Sequence, residues 1–160
     1  MKSFIQFIIE GGNVKVKTGE GEVSAEPIKI KDREAQSKDV YNALTSIHNS
    51  FKQATGEDLF GAHGKALQTG SAYSGSTRHF MNRDSSPISD KEFKQHKPTV
   101  GDIDIQVPKE HKEALHSFFK PGDRHGKYTV VGTKKSGNET HVVMKHENDG
   151  HHQFDFEHVN

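Results

Sequence analysis

Two carboxylates, Asp102 and Asp104, stand two residues apart in the run Thr99-Val100-Gly101-Asp102-Ile103-Asp104-Ile105-Gln106-Val107. Acidic and apolar residues alternate there with a period of two. In a β-strand that period puts Asp102 and Asp104 on one face and Ile103, Ile105 and Val107 on the other. The apolar face can enter a core. The opposite face then carries two carboxylates whose Cα atoms are roughly 6.5–7 Å apart. Like charges that close repel unless a cation lies between them. Mg²⁺ prefers carboxylate oxygens and shares its other positions with water and substrate phosphates. Two such ions, about 3.5–4 Å apart, could be bridged by the pair and stabilise both oxygens of an in-line phosphoryl displacement. The plain alternative is the solvated face of an edge strand.

Two further stretches bear on that choice. Gln153-Phe154-Asp155-Phe156-Glu157-His158-Val159 alternates again, with Phe154 and Phe156 facing one way and Gln153, Asp155 and Glu157 the other. Asp155 is the third carboxylate that would join the first two if the strands are neighbours, with Glu157 as a weaker substitute. Upstream, Thr69-Gly70-Ser71-Ala72-Tyr73-Ser74-Gly75-Ser76-Thr77-Arg78 is rich in small residues. Small residues let a backbone approach phosphate closely, and N–H groups at a helix start favour anions. Ser71 or Ser76 could add a hydroxyl donor, and Arg78 a cation for a triphosphate. Taken alone, this stretch reads as a plain loop.

The chain of 160 residues is expected to form one domain with a real core. It is 30% hydrophobic and 28% charged, with no Trp, which points to a small core and long wet loops. Lys plus Arg and Asp plus Glu balance at 22 each, so no global basic field favours non-specific nucleic-acid binding. The absence of Cys excludes disulfides, thiolate metal sites and a Cys nucleophile. The apolar start Met1–Glu10 is too short for a membrane span and lacks a signal-peptide cleavage site, so a cytoplasmic protein with no membrane partner is expected. The twelve His show no His-Glu-x-x-His spacing, and they read as polar residues of the surface; a transition-metal role for His151-His152 is the lesser alternative.

The elements that must hold these residues follow from periodicity. Residues 1–36 read as an N-terminal arm: a short helix at 1–10, an extended piece around Val14 and Val16, a turn at Thr18–Gly21, and an extended Pro27–Ile30. Ser37–Thr55 reads as a helix with the apolar stripe Val40, Leu44, Ile47 and Phe51, capped by Ser37 and closed by Gly56. A strand at Lys65–Gln68 is expected to lead into the Gly-Ser stretch, with a helical turn following it. Residues 82–98 read as a loop insertion over the site, with a short helix at 90–95. Pro108 opens a second helix, running to Lys120 before Pro121-Gly122, with Ala114, Leu115, Phe118 and Phe119 buried. Tyr128–Val131 and Thr140–Met144 form a hairpin around Ser136-Gly137-Asn138. The expected fold is α+β (α/β): a mixed, mostly antiparallel sheet of about five strands backed by two main helices.

A Gly-Ser turn after a strand, then Asp-x-Asp on a second strand, then an Asp on a later strand resembles the nucleotidyltransferase superfamily of DNA polymerase beta, poly(A) polymerases and small antibiotic-modifying enzymes. The likeness spans residues 65–158. The opening Met-Lys-Ser-Phe and the run Lys97-Pro98-Thr99-Val100-Gly101-Asp102-Ile103-Asp104 are similar, more narrowly, to uncharacterised nucleotidyltransferase-like proteins of tailed bacteriophages. The resemblance implies a nucleotidyltransferase-like fold and transfer of a nucleoside monophosphate from a nucleoside triphosphate to an unidentified acceptor (nucleic acid, protein or small molecule). It implies Mg²⁺, with Mn²⁺ as a substitute, on Asp102, Asp104 and Asp155. Asp155 would help deprotonate the acceptor hydroxyl. Gly70-Ser71 would contact the phosphates, with Gly75-Ser76 as an equal rival and Arg78 beside them. Localisation would be the host cytoplasm if the chain is phage-encoded. The alternatives are a non-catalytic binding module of the same fold, or a sugar-nucleotide glycosyltransferase, whose Asp-x-Asp also holds a metal.

Overall fold

The computed structural model describes residues 13–81 and 98–160. The expected helices at 1–10 and 90–95, and all but Pro98 of the 82–98 loop, lie outside the described residues.

The chain is α+β. Strands β1 (Lys15–Thr18) and β2 (Gly21–Ser24) form a hairpin, and β3 (Ile28–Lys29) pairs with β4 (Thr99–Val100). Helix α1 (Arg33–Thr55) follows β3; the short helices α2 (Lys65–Thr69) and α3 (Thr77–Met81) precede β4. Then come β5 (Ile103–Pro108), α4 (Lys112–Phe118), β6 (Arg124–His125), β7 (Tyr128–Ser136), β8 (Glu139–His146) and β9 (His151–Val159). The last five strands form one mixed sheet in the order β5-β9-β8-β7-β6. Only the β5–β9 pairing is parallel within it. The long connection between them, through α4 and β6 to β8, allows that direction.

One sheet face packs on α1. The stripe Val40, Leu44, Ile47 and Phe51 is at most 1% exposed. It meets Ile103, Ile105, Phe154, Phe156, Val142 and Met144 in one core cluster. Each such side chain contributes about 1.5–3 kcal/mol on burial. Asp32 caps α1, accepting from the Ala35 N–H at 3.1 Å, and Gly56 closes it in the left-handed region at φ 80°. The helix therefore starts a turn before the expected Ser37, because its polar first turn carries no apolar signal.

Other expectations are corrected. Lys65–Gln68 is helical, not a strand: Gly64 and Gly70, both at positive φ, leave room for a single turn between them. Thr99–Val107 is two strands, divided at Gly101-Asp102, because Val100 pairs with Ile28 in a separate ladder. The second helix is a 3₁₀ turn at Lys109–His111 followed by α4, and Ala114 is exposed. His48, His111, His125, His141, His146, His152 and His158 are buried, not surface residues. Several of their ring nitrogens serve as interior hydrogen-bonding groups; His48 Nδ1, for example, accepts the Phe60 N–H at 3.2 Å.

The opposite sheet face is partly covered by the β1–β2 hairpin, which builds a small second core of Val16, Ala25 and Val143. Gly132, at a bulge in β7, makes that contact possible: a Cβ there would lie 2.8 Å from Val16 Cβ. So part of the arm is integral to the folded body. Among the described residues, no helix is long and apolar enough to cross a membrane.

Candidate metal and nucleotide site

Parallel pairing of β5 with β9 sets Asp104 directly opposite Asp155. The alternation seen in sequence holds: Ile103, Ile105, Phe154 and Phe156 point into the core while both carboxylates take the other face. Asp102, one residue before β5, completes a group whose carboxylate oxygens lie within 4.8 Å of one another. The solvated-edge reading therefore fails for Asp104. β5 is an edge strand, but its acidic face is half-buried and meets a third carboxylate that is 5% exposed.

Burial and mutual repulsion act together on these groups. Burial, then the adjacent Asp155, push the Asp102 carboxyl up to about 8. Burial and Asp155, with Glu157 and Glu139 beyond, push Asp104 up to about 7. Among the described residues Asp102 Oδ1 is buried with no hydrogen-bond partner. An orphaned buried oxygen and an oxygen-only donor set suit a hard divalent cation. These three residues are thus able to hold a metal ion.

Sequence reasoning missed the side chains that hold Asp155. Its Oδ1 accepts from His141 Nδ1 at 2.7 Å and from Gln153 Nε2 at 2.8 Å. His141 is the register partner of Asp155 on β8, and the hydrogen bond to Asp155 raises its pKa. Glu139 Oε2 lies 3.8 Å from His141 Nε2, and burial raises the Glu139 pKa. The strand at Thr140–Met144 was legible, but its register against β9 was not.

The Gly-Ser stretch lies along the free edge of β5. Tyr73 bridges Ile105, Gln106 N–H donates to the Ala72 carbonyl at 2.7 Å, and Ser74 N–H donates to the Asp104 carbonyl at 3.2 Å. Thr77 Oγ1 accepts the Asp104 N–H at 3.0 Å, which ties the start of α3 to the acidic strand. A Cβ on Gly75, at φ 56°, would stand 3.8 Å from Asp104 Oδ2. Gly70, Ser71, Gly75 and Arg78 line one cleft of about 510 Å³, shared with Ser74 and Gln106. Of the two rival pairs, Gly75-Ser76 begins beside the carboxylates, while Gly70 ends α2 in the left-handed region and Ser71 Oγ accepts from Thr69. Ser76 is not among the residues lining the cleft. Glu157 sits one position beyond the acidic group and accepts from Ser74 Oγ at 3.2 Å, so Asp155, not Glu157, is the third carboxylate.

A separate cavity of about 160 Å³ opens on the helix side of the sheet, lined in part by Asp39, Tyr128, His146, Asp149 and His152. Its polar groups are committed to one another: His146 Nε2 to Asp39 at 2.9 Å, and Tyr128 OH to His152 Nδ1 at 2.7 Å. His151 and His152 alternate across β9 and do not converge on one metal position.

No family model, curated protein or solved structure matches this chain.

Proposed function

We propose that this chain is a Mg²⁺-dependent nucleotidyltransferase that moves a nucleoside monophosphate from a nucleoside triphosphate to an acceptor. The observation that carries the reading is the convergence of Asp102, Asp104 and Asp155 within 4.8 Å on one sheet face, beside a glycine-lined cleft. Mg²⁺ on these three carboxylates would neutralise phosphate charge and stabilise the charge that develops during transfer. The alternation around Asp104 gives it a rigid strand as a platform, and the Thr77 and Ser74 contacts hold that strand against the cleft. Gly75 leaves the space next to Asp104 Oδ2 that a phosphate oxygen needs. Arg78 lines the same cleft and supplies positive charge for the β- and γ-phosphates. Asp155 takes the proton of the acceptor hydroxyl, whose oxygen then attacks the α-phosphorus as pyrophosphate leaves. A cytoplasmic setting agrees with this chemistry.

The test is thermal unfolding of the wild type and of the double variant D102N/D104N with each of the four NTPs, with and without Mg²⁺. A ligand that binds only the folded state raises the melting temperature according to its affinity. A rise that needs Mg²⁺ and vanishes in the variant is expected. An equal rise in the variant would overturn the reading. A preference for UDP-sugars with Mn²⁺ would replace it with glycosyl transfer.

A further inference from the structure

Taking Asp102, Asp104 and Asp155 as cation ligands, we infer that Gln153 is a positioning residue for them, and that through it the β1–β2 hairpin is part of the metal site. Gln153 is 0% exposed and sits two residues before Asp155 on the same face of β9. Its Oε1 accepts the Val14 N–H at 2.8 Å, and its Nε2 donates to Asp155 Oδ1 at 2.8 Å. The two contacts dictate the amide's orientation. A backbone N–H can only donate, so the amide oxygen must face Val14, and the NH₂ must then face Asp155.

A fully buried amide is costly unless it is hydrogen-bonded, and a Met would fill a similar volume with no such demand. The amide is therefore not explained by packing alone. Together with His141 it places two donors on Oδ1 of Asp155. That fixes the plane of the carboxylate and leaves Oδ2 as the stronger ligand oxygen. Outer hydrogen bonds of this kind commonly set metal affinity by about 10- to 100-fold. The far end of the chain of contacts is just as firmly held. Val14 immediately precedes β1, and β1 is seated by Val16 over Gly132. A shift of the hairpin is thus transmitted through one amide to the third carboxylate.

The test measures Mn²⁺ affinity of the full chain from the signal of free Mn²⁺, with circular dichroism and metal-free melting as controls. The variants are Q153M, V14P and D102N. Q153M removes the hydrogen bonds to Val14 and Asp155 at similar volume. V14P removes the N–H that orients the amide, at the cost of the Val14 side chain packed beside Val16, and leaves Gln153 in place. Q153M should bind Mn²⁺ about tenfold or more weakly. V14P should weaken binding in the same direction, with its spectrum unchanged. Wild-type affinity in both folded variants would overturn the positioning role and leave the metal site standing. If Q153M does not fold, V14P decides alone. Absence of Mn²⁺ binding in the wild type, or undiminished binding by D102N, would instead overturn the metal site itself.

Discussion

Replacing Asp102 by Asn should make the metal-free protein more stable, although it removes a residue of the proposed site. Asp102 has its carboxyl raised from 3.8 to about 8 by burial and by Asp155. An acid raised in the folded state keeps a proton that the unfolded chain releases. Its effect on stability is therefore nil below pH 3.8 and grows more unfavourable as pH rises to about 8. At about 1.4 kcal/mol per unit, the dry limit is about 6 kcal/mol. Asp102 is only partly buried and solvent screens it, so about 2 kcal/mol is the gain to expect at pH 8.5. For a chain of this size that corresponds to roughly 4–8 °C in melting temperature. Asn mimics the protonated carboxyl in shape, so the gain should shrink towards zero near pH 4.

The assay is thermal unfolding of wild type and D102N at pH 4, 6 and 8.5, each with EDTA or with excess Mg²⁺. In EDTA the variant should melt higher, and the gap should widen with pH. In Mg²⁺ the order should narrow or reverse, since a ligand at 100 times its dissociation constant adds about 2.7 kcal/mol to the wild type alone. Lower stability of D102N in EDTA at pH 8.5 would refute the account of three repelling carboxylates. So would a Mg²⁺ response in the variant equal to that of the wild type.

Three further outcomes follow from the same geometry. Mg²⁺ stabilisation of the wild type should be larger at pH 8.5 than at pH 6, because protons occupy carboxyls raised to about 8 and 7 and compete with the cation; equal midpoint shifts at the two pH values would contradict this. His152 is lowered to about 4, chiefly by burial, so the folded state stays neutral while the unfolded chain protonates near 6.5. Its contribution is fully present above pH 6.5 and is lost as pH falls towards 4, by about 3 kcal/mol at most. The melting temperatures of wild type and His152→Gln should therefore converge or cross over that window, and parallel curves would exclude it. Gly132→Ala puts a Cβ 2.8 Å from Val16 Cβ, so the hairpin must shift, at a cost of about 1–3 kcal/mol by chemical denaturation. An unchanged denaturation midpoint would show that the contact yields freely.

Local pattern carried much of this architecture in the sequence and failed where pairing decided. The stripe Val40-Leu44-Ile47-Phe51 announced α1, because a 3.6-residue period marks the buried face of a helix. The period of two at Asp102–Val107 and at Gln153–Val159 announced which face each carboxylate takes. Periodicity does not say which strands are neighbours. The hydrogen bond from His141 to Asp155 spans 14 residues, and that from Val14 to Gln153 spans 139. Short segments misled for a related reason. Lys65–Thr69 and Thr99–Val100 are too brief for any period to show, so flanking glycines and a partner strand set their conformation. The histidines were misjudged because hydropathy ranks them as polar, whereas an imidazole with a hydrogen-bond partner is at home in a core.

The register of β5 on β9 is what turns two unremarkable alternating strands into a site. Asp104 is level with Asp155 and Ile105 with Phe156. A slip of one residue would turn Ile103 and Ile105 away from the helix side and send Asp104 into the core, since every side chain of β5 would change face. Burial of Phe154 and Phe156 at 0% exposure therefore opposes the slip, and the repulsion among the carboxylates is too small to reverse it. The same apolar contacts that stabilise the sheet thus hold three acids together against their own charge. Stability and the acidic cluster meet on opposite faces of one strand pair. In the proposed function a cation relieves that opposition, and the cleft beside Gly75 is where a phosphate-bearing ligand would enter.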